Sequence, residues 1–410
     1  MGHGEWVRLP SLPKRGGLVI LKGVSLQVMR ILLAPDSFKG CLGAAQACAA
    51  MAEGIRRVAP DTEIRPIPLA DGGEGTTEAL VAASGGWIQT VGVTGPLPQE
   101  RRQVEAQLGW LGEGRAVLEM ASASGLPLVS PELCNPLHTT SYGTGELIAA
   151  ALNAGAGHLI LGLGGSATND LGAGMAQALG VRFLCADGQT ILEPLNGGLL
   201  QEVAAVDLSG LHPALASCRL EVACDVDSPL LGPRGATAVY GPQKGATPAI
   251  AAELEASLSH LIAMVETATG RQVRDRPGAG AAGGMGAMLL ALTNAELRPG
   301  IALLLEASGF VAALDGADLV LTGEGRVDAQ TARGKTIHGV ARAAAAAGVP
   351  VVVIAGEIGP GAGALHEVGV NAMFSLVPGP MDLATAMART PELLADAAEE
   401  VVRLIGRMHL

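Results

Sequence analysis

Aromatic residues make up only 2% of this 410-residue chain: three Trp, two Tyr and four Phe. Stacking platforms for nucleic-acid bases are therefore lacking, and no basic stripe offsets the net charge of −12. A duplex or an anionic membrane is repelled on average. Lysine is nearly as scarce. Lys14, Lys22, Lys39, Lys244 and Lys335 are the whole set, and arginine supplies the rest of the basic charge. The six cysteines (Cys41, Cys48, Cys134, Cys185, Cys218, Cys224) form no C-x-x-C pair and no Cys/His ligand spacing. They read as reduced thiols packed as small hydrophobes, which fits a cytoplasmic compartment. The eight histidines form no H-E-x-x-H, and Ser166 lies outside any G-x-S-x-G, so a zincin or a hydrolase elbow is excluded. No apolar run reaches transmembrane length. Residues 1–28 lack the form of a signal peptide, because Lys22 interrupts the apolar part. This leader is expected to lie outside the fold, with Met29 as the natural first residue.

What is present points to a well-packed enzyme. Apolar residues are 49% and charged residues 16%, which gives ample burial. The length exceeds one ordinary core, so two domains are expected. Apolar runs and helical periods alternate as strand 30–34, helix 44–58, strand 63–70 and a helix opening at 71–75. Segments 87–93, 102–110 and 116–120 alternate like antiparallel strands. Helix 144–153, strand 158–161, strand 220–223 and helix 249–267 follow. The β-α-β order returns with strand 318–321, helix 336–347, strand 349–354 and a helix at 391–404. The fold class predicted is α/β in two domains. A discontinuous doubly wound (Rossmann/flavodoxin-like) domain takes residues 29–88 plus 296–410, and an inserted second α/β domain takes 89–295. The cleft between them is the expected site.

Three glycine-rich loops are predicted to follow strands and open helices: 71–75 (DGGEG), 162–170 (GLGGSATND) and 322–334 (TGEGRVDAQTARG). A helix N-terminus suits an anion, and open α/β sheets bind ligands beyond the carboxyl ends of their strands. Acids cluster at strand ends: Asp36, Asp71, Asp170, Asp225, Glu324 and Asp328. Phosphoryl transfer needs such groups to hold Mg²⁺ and to orient a hydroxyl. Tight turns whose Asp or Thr merely cap helices carry the same pattern. Two nucleotide signatures fail. GKT at 334–336 ends like a P-loop, but Ala329 stands where the first glycine is required. GAGAAG at 278–283 matches G-x-G-x-x-G, yet polar residues 271–276 precede it in place of a strand. The residues alone reach a phosphate-handling α/β enzyme. A kinase of another small hydroxy acid stays open, as does a dinucleotide-dependent oxidoreductase resting on 278–283.

Six motifs carry a resemblance: APDSFKG at 34–40, LADGGEGT at 69–76, LGLGGSATND at 161–170, CDV at 224–226 with GPQKGA at 241–246, PGAGAAGG at 277–284, and TGEGRVD at 322–328. Together, in this order over about residues 29–405, they resemble the type I glycerate kinase family. The resemblance implies ATP- and divalent-metal-dependent phosphorylation of D-glycerate in glyoxylate, glucarate and related degradation. It also implies mainly 2-phosphoglycerate as product, less often 3-phosphoglycerate, and two α/β domains with the site between them. Candidate roles follow from the chemistry. Asp71, Lys39 and Lys335 are the catalytic candidates. Gly164, Gly165, Ser166, Lys244, Gly323 and Gly325 are candidates for nucleotide and phosphate, and Asp36, Ser37, Gly72 and Gly73 for substrate. Asp170, Asp225 and Glu324 are candidates for Mg²⁺. The expected partners are ATP, Mg²⁺ and D-glycerate, with no nucleic acid or membrane, in a monomer or homodimer. The departures are Cys41, Leu171 where a small residue is expected, and the leader.

Overall fold

The computed structural model describes residues 29–408 except 71, 72, 74, 101 and 102. Asp71, Gly72 and the leader 1–28 lie outside the described residues. Five parallel strands form one sheet in the spatial order Glu63–Pro66, Arg30–Leu33, Leu319–Val327, Val351–Ile358, Ala372–Ser375. Numbered along the chain within that sheet, the order is 2-1-3-4-5, the flavodoxin-like doubly wound arrangement. Both faces are covered, so the strands alternate between two cores. Ile31 and Leu33 face the helices Ala44–Val58 and Thr390–Met408, while Leu32 faces the helices Gly300–Ala307 and Thr336–Ala346. Helix Ala44–Val58 approaches its neighbour closely because position 54 is glycine: a Cβ there would lie 1.9 Å from the Ala395 carbonyl oxygen.

The second sheet has six strands. Glu296–Arg298, Arg219–Ala223, His158–Gly162 and Arg115–Glu119 run parallel, and Gln103–Gly112 and Trp87–Thr94 complete it as an antiparallel edge. Both strands at the expected domain boundaries pair here: Trp87–Thr94 starts before residue 89, and Glu296–Arg298 hydrogen-bonds to Arg219–Ala223. A separate two-stranded ribbon joins Arg182–Leu184 to Ala205–Asp207.

Two expectations are corrected. The segment read as a loop from Thr322 is strand: Leu319–Val327 pairs with Val351–Ile358 as far as Val327↔Ile358. The other concerns membrane-length helices. Among the described residues, Pro248–Thr269 is long and apolar enough to cross a membrane by length and composition. It carries Glu253, Glu255 and Glu266, and it sends Leu254, Leu258, Leu261, Ile262 and Val265 into buried positions.

The first sheet reverses its winding between Arg30–Leu33 and Leu319–Val327, so a crevice opens beyond their carboxyl ends. That reversal brings Asp36 and Glu324, distant in sequence, to one place.

Candidate active site

Three cavities meet at this crevice, and Lys39 lines all of them. The first, about 620 Å³, lies between the switch-point residues and segment 376–390. The second, about 470 Å³, joins Lys39 and Gly73 to Gly164, Gly165, Ser166, Asp225 and Lys244 of the second sheet's loops. The third, about 670 Å³, runs from Asp36 towards Glu78. Every lysine among the described residues therefore lines the cleft: Lys39 in all three cavities, Lys244 in the second and Lys335 in the first.

Asp36 is buried at the switch point. Its Oδ1 accepts the Ser37 N–H at 2.6 Å, and its Oδ2 accepts the Thr336 hydroxyl at 2.6 Å. Glu324 accepts the Thr331 hydroxyl at 2.8 Å. Burial pushes the Glu324 carboxyl up to about 7; the Asp36 charge adds to this, while the Thr331 hydroxyl, Lys335 and Lys39 oppose it. Two carboxylates repelling each other beside two ammonium groups form a hard-oxygen donor set that suits a divalent cation.

The three helix openings differ in what they offer an anion. At Thr76–Ser84, the Thr77 N–H is already taken by Glu119 Oε1 at 2.6 Å, a buried carboxylate reaching across from the second sheet. At Ala173–Ala178, Asp170 does the capping. It accepts from Ser141 N (2.8 Å), Ser141 Oγ (2.6 Å), Gly172 N (3.1 Å) and Gly174 N (3.4 Å) and is fully buried. In this arrangement the carboxylate expected to hold Mg²⁺ serves as a buried cap, with three of the four donors on Oδ2 and one on Oδ1. The third opening, at Thr336–Ala346, brings a cation to the cleft. Lys335 stands at its N-cap, lines the cavity and makes no side-chain capping bond.

Lys244 is the least expected of the cations. It is 2% exposed, and its Nζ donates to Ser166 Oγ (2.8 Å) and the Thr168 carbonyl (2.6 Å). Burial pulls it down to about 7, against the pull of Asp170. Asp225 is exposed at the same cavity and accepts the Gly300 N–H at 2.8 Å. Among the described residues, no cluster of three or more His, Cys, Asp or Glu is arranged to hold a metal.

The glycines divide by purpose. Gly164, Gly165 and Gly325 line cavities. Gly323 serves the sheet: a Cβ there would lie 2.1 Å from the Ile354 carbonyl oxygen. Gly323→Ala should therefore destabilise the protein by about 2 kcal/mol or more through backbone displacement. Thermal unfolding checks this, and an unchanged melting temperature would return Gly323 to the ligand. The run at 278–283 is likewise explained by packing. A Cβ at Gly280 would meet the Pro229 carbonyl at 2.3 Å, and one at Gly283 the Thr168 carbonyl at 2.1 Å. No strand precedes the run, so the dinucleotide reading loses its support. Leu171 is held at φ 59°, a region that disfavours bulky side chains, which explains why a small residue is expected there.

Sequence reasoning missed Thr331, Thr336, Ser141 and Glu119. Thr336 had a signal, as the last letter of the failed P-loop; the others become meaningful only once their carboxylate or amide partners are in place.

A doubly wound sheet whose switch point sets paired carboxylates against lysines, opposite a glycine-lined second cavity, defines an α/β phosphotransferase acting on an alcohol group. The chain belongs to the glycerate kinase family, whose profile matches residues 31–406. It is 50% identical to a glycerate kinase of Bacillus subtilis over 92% of this chain and 98% of that one. It is 47% identical to a glycerate 2-kinase of Escherichia coli over 85% of this chain and 91% of that one. A crystal structure described as a candidate glycerate kinase 2 from Salmonella typhimurium LT2 superposes with a TM-score of 0.85 at 44% identity, covering 93% of this chain and 99% of that chain.

Proposed function

We propose that the protein transfers the γ-phosphate of ATP to D-glycerate, giving ADP and mainly 2-phosphoglycerate. The observation that carries this reading is the junction at Lys39, where the carboxylate pair of one sheet and the glycine-serine-lysine wall of the other line a common cleft. The name of the Escherichia coli relative supports the 2-position.

Asp36 and Glu324 would hold Mg²⁺, which usually takes one or two protein carboxylates and fills its shell with phosphate and water. When bound, the ion would neutralise charge on the phosphates. The protein's own share is positioning and charge. Lys39 and Lys335 would supply ammonium groups to neutralise charge on the transferring group. Ser37 and Gly73 line the approach to Lys39. Asp71 is retained as the carboxylate proposed to orient the acceptor hydroxyl and take its proton. Asp225, with one oxygen engaged by Gly300, is retained as a water-mediated metal contact. The two sheets are proposed as two domains, residues 29–86 plus 299–408 and the insert 87–298. A cytoplasmic monomer or homodimer completes the reading.

Phosphorus NMR of the product from D-glycerate, ATP and Mg²⁺ tests this. The expected spectrum is dominated by 2-phosphoglycerate. ATP turnover no faster with D-glycerate than without it would refute the reading, and a spectrum dominated by 3-phosphoglycerate would overturn its regiochemistry.

A further inference from the structure

We propose that the two substrates occupy different lobes of the cleft. The nucleotide lies in the lobe bounded by segment 376–390, with its base against Met381, Leu383 and Met387. The hydroxy acid lies in the lobe of Gly165, Ser166 and Lys244. This inference rests on the kinase reading above, and it reassigns Gly164, Gly165, Ser166 and Lys244 from the polyphosphate to the acid.

The first lobe has two unlike walls. One is apolar, with Val377, Met381, Leu383 and Met387; the other gathers the cations Lys39, Arg326 and Lys335 among the carboxylates Asp36, Glu324, Asp328 and Glu357. Leu383 is 75% exposed, a large apolar side chain left to solvent while facing a charged wall. A ligand that satisfies both walls has a flat apolar end and a polyanionic end, as a nucleoside triphosphate does. Its volume of about 620 Å³ fits a ligand of that size. In a chain with nine aromatic residues, methionine supplies the polarisable surface that an aromatic ring supplies elsewhere.

The second lobe is smaller, about 470 Å³, and its cation is of another kind. Lys244 is buried and already spends two of its three donors on Ser166 and Thr168. One remaining N–H suits a single carboxylate and not a polyphosphate. The third lobe offers a polyphosphate Lys39 alone, beside Asp36 and Glu78, where the first offers three cations. Lys39, common to all three, sits where the γ-phosphate passes from nucleotide to acid.

Two measurements on the full chain decide the matter. Cys41 lines the nucleotide lobe and the third lobe beside it, but not the acid's lobe, and is partly exposed. With Mg²⁺ and the β,γ-imido analogue of ATP at ten times its dissociation constant, maleimide labelling of Cys41 should slow about tenfold by mass action. D-glycerate alone should leave that rate unchanged. The second measurement uses Leu383→Asp, which alters an exposed side chain and so spares folding. It should raise the KM for ATP about tenfold through lost apolar contact and new repulsion, with the KM for D-glycerate unmoved. Protection of Cys41 by D-glycerate and not by the nucleotide analogue would overturn the assignment. So would a Leu383→Asp effect confined to the D-glycerate KM, or no effect on either KM. A wild-type enzyme that fails to phosphorylate D-glycerate sinks the kinase reading instead, a result separable from any of these.

Discussion

Lys244→Met should lower kcat/KM for D-glycerate by about 10–10²-fold while changing the KM for ATP by no more than about twofold. The magnitude corresponds to losing one charge-assisted hydrogen bond at about 1.5–3 kcal/mol. Methionine keeps most of the volume, and removing an ammonium buried to 2% exposure also removes its desolvation cost, so the fold should survive. The pH dependence is the sharper part. Burial lowers Lys244 from 10.5 to about 7 in the folded protein. Between those values the unfolded chain binds the extra proton, so the contribution of this group to stability rises with pH across that window. Anion binding runs the other way, because only the protonated amine attracts a carboxylate. The KM for D-glycerate should therefore climb as pH rises through about 7. In Lys244→Met both trends should vanish. A pH series of melting temperatures and of KM checks this, and a wild-type KM flat across the range would remove Lys244 from the acid's site.

Glu324→Gln and Asp36→Asn should each cut kcat by about 10²-fold or more, the scale of a lost electrostatic partner at a transferring group. Each should also raise the Mg²⁺ concentration needed for half-maximal rate. Stability should move differently. Burial and the Asp36 charge raise Glu324 from 4.5 to about 7. Without metal, its favourable contribution is complete below the unfolded value and is lost as pH rises through about 7. Glu324→Gln should thus leave the metal-free protein at least as stable as wild type at pH 8, while Asp36→Asn disturbs two short hydrogen bonds, to Ser37 and Thr336. Wild-type kinetics with unaltered Mg²⁺ dependence in both variants would dissolve the proposed metal pair.

Much of the fold was legible because its signals are local. Helix Ala44–Val58 was read to the residue, since its apolar positions repeat at helical spacing. The buried strands stood out as short apolar runs. Other elements were illegible for physical reasons. Arg182–Leu184 and Ala205–Asp207 are three residues each, too short to show a period. Gly323, one of the glycines that made Thr322–Val327 look like a loop, is demanded by a neighbouring strand that the local sequence does not reveal. The site was legible as a set of residue types and not as roles. Asp170 and Glu324 look alike in sequence, both acids beside glycines. Asp170 is wrapped by four donors, whereas Glu324 faces another carboxylate across a cleft. That difference is made by Ser141 and Asp36, which lie far away along the chain.

The confinement of the described lysines to the cleft has a consequence for covalent chemistry. In most proteins an acylating metabolite or an acetyl donor is dissipated on dozens of surface amines, and modification at any one of them is harmless. Here the described surface spreads its positive charge through arginine, whose guanidinium stays protonated and is a poor nucleophile. Lys39, Lys244 and Lys335 are the side-chain amines that the described residues expose to such reagents or hold in reserve. Acylation of the described lysines is therefore directed to the working cleft from the outset. Each such event cancels a charge that the anionic substrates depend on, and bound substrate is the natural shield against it.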